Sequence, residues 1–414
     1  MITVVGTGTG APVPEDVLAG AALVVGGRRH LDAVRLPEGA GRVVLGPLAP
    51  ALDVIERHLE KADRVVVLAS GDPGFFGIVR ALAERFGSRR LDVRPGVSSV
   101  AAAFARVGLP WDDAVVVSAH GRELRTAVNV CRARPKVAVL TGPGAGPAEL
   151  GAALLHQARV PERVLVVVSA LGSADERVER VTPAEAAARD WGTAVSVVLC
   201  LTQARALGPV RTVAGVPAQP SRWALAEGEF AHRDSMITKF EVRALALARL
   251  GPRLGDLVWD VGAGSGSVAV ECARFGAAVV AVEKATDGVE RIRANAEAHG
   301  VDVRVVHGSA PDALAHLADD PDAVFVGGGG RELPGIVAAC ARRARRTVVV
   351  AMAALDRVPA AREALTAAGF TCDGVLLQSS RLAPLPGEVT RLAATNPVFL
   401  LWGVRTPSSE GVTE

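Results

Sequence analysis

The segment Asp260-Val261-Gly262-Ala263-Gly264-Ser265-Gly266 restricts what this chain can fold into more than any other stretch. It ends the apolar, strand-length run 257–261 and opens an Ala/Val-rich helical stretch, so a buried strand must turn sharply into a helix. Glycines there accept left-handed dihedrals and let the backbone approach a ligand closely, with the N–H groups of the new helix aimed at it. Glu283, which stands 21 residues after Gly262, closes the next apolar run. An acid at that strand end can hydrogen-bond both hydroxyls of a ribose. Loop, flanking elements and acid together predict an α/β domain that binds an adenosine-bearing ligand.

The same rhythm of short Val-rich runs and Ala/Arg-rich helical stretches extends through all 414 residues, predicting α/β domains with largely parallel sheets. Buried strands are expected at 64–68, 114–117, 137–140, 163–168, 257–261, 277–282, 323–326 and 347–350. The stripe Val289, Ile292, Ala296 predicts a helix from Thr286 or Asp287 to the C-capping Gly300. The length calls for at least two domains. Pro209, Pro217 and Pro220, with Gly208 and Gly215, mark a linker. The expected division is a first domain over 1–205, with subdomains of about 1–112 and 113–205, a linker at 206–220, and a second domain over 221–414. The glycine-rich openings of the two halves differ in spacing, so the domains are not an internal repeat.

Charge argues against one function class. Lys and Arg against Asp and Glu number 24 and 21 in residues 1–205, and 22 and 23 in the remainder, giving the net +2. Neither half has the basic excess of a protein that gains affinity by neutralising phosphates, so no nucleic-acid partner is expected. The five cysteines form no C-x-x-C pair, so neither a metal site nor a disulfide framework is expected. The start of the sequence has no basic n-region and its apolar runs are strand-sized, so a cytoplasmic protein without a membrane association is expected.

In the second half a dinucleotide fingerprint would need glycine where Ser267 stands. The D-x-G-x-G-x-G motif instead resembles motif I of class I S-adenosylmethionine (SAM) methyltransferases, a Rossmann-like fold. His307-Gly308-Ser309-Ala310-Pro311-Asp312 resembles the loop bordering the adenine in that class, with Ser309 as an N-cap. Glycines 327–330 after the fourth strand stand where such enzymes hold substrate, in place of the Pro-Pro-Tyr-like motif of amino-methylating members. The run Glu229-Phe230-Ala231-His232-Arg233-Asp234-Ser235-Met236-Ile237-Thr238-Lys239 resembles the opening of the C15-methylating, decarboxylating precorrin methyltransferase domain. These resemblances imply SAM contacts at Thr238, Gly262, Ala263, Gly264, Ser265, Gly266, Glu283 and Ala310. They imply substrate contacts at His232, Arg233, Lys239, Gly328 and Gly329, the cations suiting a substrate fringed with carboxylates. The alternative for the three cations is a solvated lead-in to a helix.

The first half carries Ser70-Gly71-Asp72-Pro73-Gly74-Phe75-Phe76-Gly77, then Pro95-Gly96-Val97-Ser98-Ser99, then Leu140-Thr141-Gly142. In this order they resemble the tetrapyrrole methylase family, in which SAM lies in a cleft between two α/β subdomains. That implies a SAM cleft lined by Gly71, Asp72, Pro73, Phe76, Ser98, Ser99 and Thr141. The opening loop departs from the family pattern, with Thr9 where a proline is usual. Ser118-Ala119-His120-Gly121-Arg122 resembles a segment of the C5-methylating precorrin domain, so His120 and Arg122 are candidates for substrate carboxylates or for the subdomain hinge.

Joined in one chain, the two resemblances imply methylation of precorrin-6B at C5 and C15 with loss of the ring C acetate carboxyl, giving precorrin-8 on the way to cobalamin. One SAM per domain, a corrinoid small-molecule substrate and a homo-oligomer are expected, and no catalytic side chain is assigned. The cobalt-precorrin counterpart, an RNA or protein methyltransferase, and a SAM-binding scaffold without turnover are the alternatives.

Overall fold

The computed structural model describes residues 1–10, 12–155, 163–194, 196–202, 206–207, 214, 222–233 and 237–405. Of the expected linker, only 206, 207 and 214 lie among the described residues, and Asp234, Ser235 and Met236 of the lead-in segment lie outside them. The chain divides into two compact units. The first holds 1–123, 136–152 and the described residues of 163–215, and the second holds 124–135 and the described residues of 153–162 and 216–414.

In the first unit, β1 (Ile2–Thr7), β2 (Leu23–Gly26), β3 (Gly41–Val44), β4 (Val65–Ser70) and β5 (Leu91–Arg94) form a parallel sheet in the order β3-β2-β4-β1-β5. Alternation sends Ile2, Val4, Val65 and Val67 to one core with Ile55 and Leu82. Val5, Val24, Val66 and Leu68 face the other, with Val17 and Leu31. Both faces of β1, β2 and β4 are covered, which is why these three read as nearly continuous apolar runs.

A second sheet holds β6 (Val115–Ser118), β7 (Lys136–Leu140), β8 (Arg163–Ser169), β9 (Arg177–Val181) and β10 (Ser196–Thr202) in the order β6-β7-β10-β8-β9. Here the expected parallel arrangement fails, for only β6 and β7 are parallel. Residues 170–176 between β8 and β9 are too few to carry the chain across the sheet, so those two strands pair as an antiparallel hairpin.

In the second unit, β11 (Leu257–Val261), β12 (Ala278–Glu283), β13 (Arg304–His307), β14 (Ala323–Val326), β15 (Thr347–Met352), β16 (Phe370–Leu377) and β19 (Val398–Arg405) make one sheet. Its order is β13-β12-β11-β14-β15-β19-β16, the first five strands parallel and the last two antiparallel. Among the described residues, the hairpin β17 (Ser380–Leu385) and β18 (Val389–Ala394) pairs only with itself. Trp259 and Val261 point to a core covered by helices Leu333–Arg343 and Val358–Ala367, and Val258 points to one covered by Phe240–Leu250 and Ser267–Arg274. The helix expected from 286 spans Thr286–Ala298, and Gly300 follows it at φ +62°. Among the described residues no helix is long and apolar enough to cross a membrane.

Candidate functional site

The direction of strand order in the second unit reverses between β11 and β14, so their connections leave to opposite sides and a crevice opens at their C-terminal ends. Gly262, Gly264 and Gly266 adopt φ of +71°, +57° and +73°, which bends the chain off β11 into helix Ser267–Arg274. A Cβ on Gly262 would lie 3.3 Å from Gly328 N, so backbone meets backbone across the crevice. A cavity of about 210 Å³ here is lined by Gly262, Glu283, Ala310, Gly328 and Gly329, together with Lys284, Ser309, Glu332 and Ile336. Five residues expected from separate motifs thus share one wall.

Glu283 is held with its carboxylate in place. Oε2 accepts from Gly264 N at 2.8 Å and Oε1 from Ala285 N at 2.8 Å. Gly288 leaves the space this requires, for a Cβ there would lie 2.7 Å from Glu283 Cγ. Asp260, on the face opposite Trp259 by strand alternation, is wholly buried. Its Oδ2 accepts from Ala269 N at 2.9 Å, and Oδ1 has no partner among the described residues. Burial first, then the nearby Glu283 charge, pushes its carboxyl up to about 7, against the pull of the Ala269 bond.

Ser265 is buried, and its carbonyl accepts from Asn295 Nδ2 at 2.7 Å. Asn295 also bonds Ala231 N through Oδ1 at 2.7 Å and Ala231 O through Nδ2 at 2.9 Å, tying the lead-in segment to the glycine loop. Sequence reading missed this residue. Its signal was an amide beside the apolar stripe of Val289, Ile292 and Ala296. The other lead-in candidates stand apart from the cavity lining. His232 Nδ1 lies 2.8 Å from Phe230 O, Arg233 pairs with Asp287 at 3.7 Å, Lys239 precedes helix Phe240–Leu250, and the Thr238 carbonyl accepts from Arg243 at 2.6 Å. Pro311 rather than Ser309 directly precedes the helix Asp312–Ala315, so the expected cap by Ser309 is not formed.

In the first unit the ends of β1, β4 and β5 converge. A Cβ on Gly6 would lie 1.9 Å from Gly71 O and 2.2 Å from Gly96 N, and Gly96 N donates to Gly71 O at 3.1 Å. Only glycine permits that approach. It brings Gly71 against Ser98 and Ser99, whose atoms lie 3.0 to 3.3 Å from where a Gly71 Cβ would stand. Ser98 Oγ caps helix Ser99–Val107 by accepting from Ala101 N at 3.1 Å. Asp72 Oδ1 accepts from Gly74 N at 2.8 Å, shaping the turn that includes Pro73. Thr9, where the family pattern has proline, donates its hydroxyl to Val97 O at 2.8 Å and joins the opening loop to the 95–99 loop.

Loops from both sheets of this unit meet. The Arg122 guanidinium lies 5.5 Å from the centre of the exposed Phe76 ring, a cation–π distance. His120 and Thr141 share a cavity of about 450 Å³ with Trp191 and Ser196. The Thr141 hydroxyl is buried against Ser196 O at 2.7 Å, and His120 Nδ1 lies 3.2 Å from Thr141 O. A larger cavity of about 950 Å³ lies over Thr7, Gly8 and Gly10, with Arg35, Glu38 and Gly172 on its wall. The 33–38 loop carries no motif, and sequence reading did not find it.

Residues 1–187 match the family described as tetrapyrrole (corrin/porphyrin) methylases, and residues 229–404 match the one described as a precorrin methyltransferase domain. The chain is 39% identical to a Sinorhizobium precorrin-6Y C(5,15)-methyltransferase (decarboxylating), over 77% of this chain and 75% of that protein. It is 39% identical to a probable cobalt-precorrin-6B C(15)-methyltransferase (decarboxylating) of Pyrobaculum calidifontis, over 40% of this chain and 87% of the other. It is 31% identical to the cobalt-precorrin-7 C(5)-methyltransferase of Salmonella typhimurium, over 48% and 98%.

Proposed function

The chain belongs to the precorrin-6Y C(5,15)-methyltransferase (decarboxylating) family, and from that premise we propose that residues 1–205 methylate C5 while residues 221–414 methylate C15 and release the ring C acetate carboxyl, with one SAM bound in each. The protein is a SAM-dependent methyltransferase and decarboxylase of cobalamin biosynthesis, and its substrate is a small-molecule precorrin. The separate matches of residues 1–187 and 229–404 support the division of labour, and the cavity between β11 and β14, where Gly262, Glu283, Ala310 and Gly328 come together, is the observation that carries the SAM site of the second unit.

The residues present fit SAM. The anchored Glu283 carboxylate suits a ribose diol, and the bare backbone of Gly262 and Gly328 admits close approach without a side chain in the way. Bound SAM supplies a methyl group on a sulfonium, an electrophile that needs no covalent nucleophile from the protein. The work left to the chain is alignment and exclusion of water. Glu283 holds the donor's ribose, and the open space beside Gly328 and Gly330 gives a flat macrocycle room to bring an electron-rich meso carbon in line with the methyl. For the decarboxylation, the electron pair of the broken carbon–carbon bond passes into the conjugated macrocycle and a proton replaces carbon dioxide. In the first unit, Gly71 and the 95–99 loop give SAM a similar cradle, with Arg122 and His120 beside it for substrate carboxylates. The assembly we propose is a homo-oligomer.

The test is a pair of variants of the full chain, each assayed on the cobalt-free and the cobalt-containing precorrin. Gly264 has open space where a Cβ would stand, and its N–H is a partner of Glu283. Gly264→Arg fills the cofactor side of the second unit and is expected to abolish C15 methylation while C5 methylation continues. Asp72→Ala is expected to do the reverse, and product mass spectrometry reads both. Loss of both methylations in either folded variant refutes two independent sites.

A further inference from the structure

We propose that Arg29 is a carboxylate-docking residue of the first unit, positioned by Ser70 and His30 to receive a carboxylate that arrives with a ligand of that unit. This rests on the reading of that unit as a methylating site.

The short helix Arg28–Asp32 follows β2 after a single residue, Gly27, so Arg29 sits at the C-terminal edge of an all-parallel sheet. That is the edge where ligands bind in open α/β sheets. From β2 the side chain reaches the neighbouring strand. Arg29 Nη2 donates to Ser70 Oγ at 2.6 Å, and Nε donates to His30 Nε2 at 3.3 Å. Ser70 is the last residue of β4 and directly precedes Gly71-Asp72-Pro73. The guanidinium is therefore tethered at the base of the loop assigned to SAM.

The hydrogen bonds fix the roles of their partners. His30 Nε2 accepts from Arg29, so the Ser70 hydroxyl 2.9 Å away donates to the same nitrogen while itself accepting from Nη2. The imidazole is neutral, with its proton on Nδ1. Burial first, and then the adjacent Arg29 charge, pushes His30 down to about 4. Its ring is packed beneath the opening loop, for a Cβ on Gly8 would lie 2.6 Å from Cε1. Neither tether neutralises the arginine.

No carboxylate does so either. Asp32, on the same helix, is taken by Arg42 at 2.5 Å, and no acidic group among the described residues lies within ion-pair distance of Arg29. A guanidinium has five N–H donors, and two of them are spent on Ser70 and His30; the residue as a whole is exposed although burial pulls the guanidinium's pKa down, and its remaining donors keep the orientation those two bonds impose. A cation held in place without a counter-ion, at the ligand edge of a sheet, suits an anion that arrives with the ligand. Both molecules assigned to this unit carry carboxylates: the precorrin on its rim and SAM on its amino-acid end. The chemistry recognised is the same, and the experiment tells the two apart.

Arg29→Met and Arg29→Lys, made in the full chain, are assayed for C5 and C15 methylation separately, with SAM binding followed by calorimetry. Arg29→Met is expected to raise KM for the precorrin in the C5 step by about tenfold to a hundredfold. Its kcat should stay within about threefold, and Arg29→Lys should restore part of the loss because the charge remains without the fork. C15 methylation on the same molecules should not change, which separates this effect from misfolding. A weaker first-unit SAM affinity at unchanged precorrin KM would support carboxylate docking with SAM as the source. Changes below about twofold in both quantities overturn the proposal. A wild-type chain that methylates C15 and never C5 would instead overturn the reading of the first unit, and that is seen before any variant is made.

Discussion

Gly288→Ala should lower both the stability of the second unit and its SAM affinity, because displacement of Glu283 outweighs the gain in helix propensity. Gly288 lies in the first turn of helix Thr286–Ala298, buried and without a positive φ. Alanine is a better helix former there by about 1 kcal/mol. The added methyl, however, would stand 2.7 Å from Glu283 Cγ, 3.1 Å from its Cδ and 3.3 Å from Gly264 O. The carboxylate must leave its seat, giving up the bonds from Gly264 N and Ala285 N. Hydrogen bonds to a charged acceptor contribute about 1.5–3 kcal/mol each, part of which water recovers. The net cost to the second unit is then about 1–3 kcal/mol. With the carboxylate displaced from the ribose position, SAM affinity at this site should fall by about tenfold to a hundredfold. The control is Gly335→Ala, on helix Leu333–Arg343, where nothing lies within 4 Å of the new Cβ. It should stabilise by up to about 1 kcal/mol and leave SAM binding alone. Calorimetric titration and chemical denaturation of the full chain read both quantities. If Gly288→Ala behaves like Gly335→Ala, the role given to Glu283 is refuted.

Two further outcomes follow from buried groups. Gly6→Ala puts a methyl within 2.2 Å of backbone atoms on two neighbouring segments, Gly71 and Gly96. Backbone cannot rotate aside as a side chain can, so the first unit should lose more than about 3 kcal/mol while the second keeps its transition; wild-type denaturation would contradict the convergence of β1, β4 and β5. Asp260 has a folded-state value raised from 3.8 to about 7, so the native state holds its proton where the unfolded chain has released it. Stability of the second unit should therefore fall as pH rises from about 4 to 7, by at most about 4 kcal/mol. Asp260→Asn should flatten that slope, and equal slopes in thermal melts at pH 5 and 8 would refute the assignment.

Much of the fold was legible because its signals are local. The runs at 257–261 and 323–326 became β11 and β14 with the same bounds, since a strand buried on both faces is apolar along its whole length. The loop from Gly262 to Gly266 was legible for the same reason: a left-handed turn into a helix demands glycine wherever that turn occurs. The antiparallel pairing of β10 with both β7 and β8 was not legible, because strand composition does not encode the direction of a neighbour.

What the sequence determined by itself was the elements, the two glycine-rich turns and the acid that follows one of them. Each depends on backbone sterics or periodicity within a few residues. Only tertiary structure decided which groups act together. Ser70 meets Arg29 across 41 positions, and Asn295 meets Ala231 across 64. Gly6, Gly71 and Gly96 read as three ordinary turns until the strands are aligned. Hydrogen bonds and close packing act over a few ångströms of space, and the distance along the chain between two partners carries no trace of them.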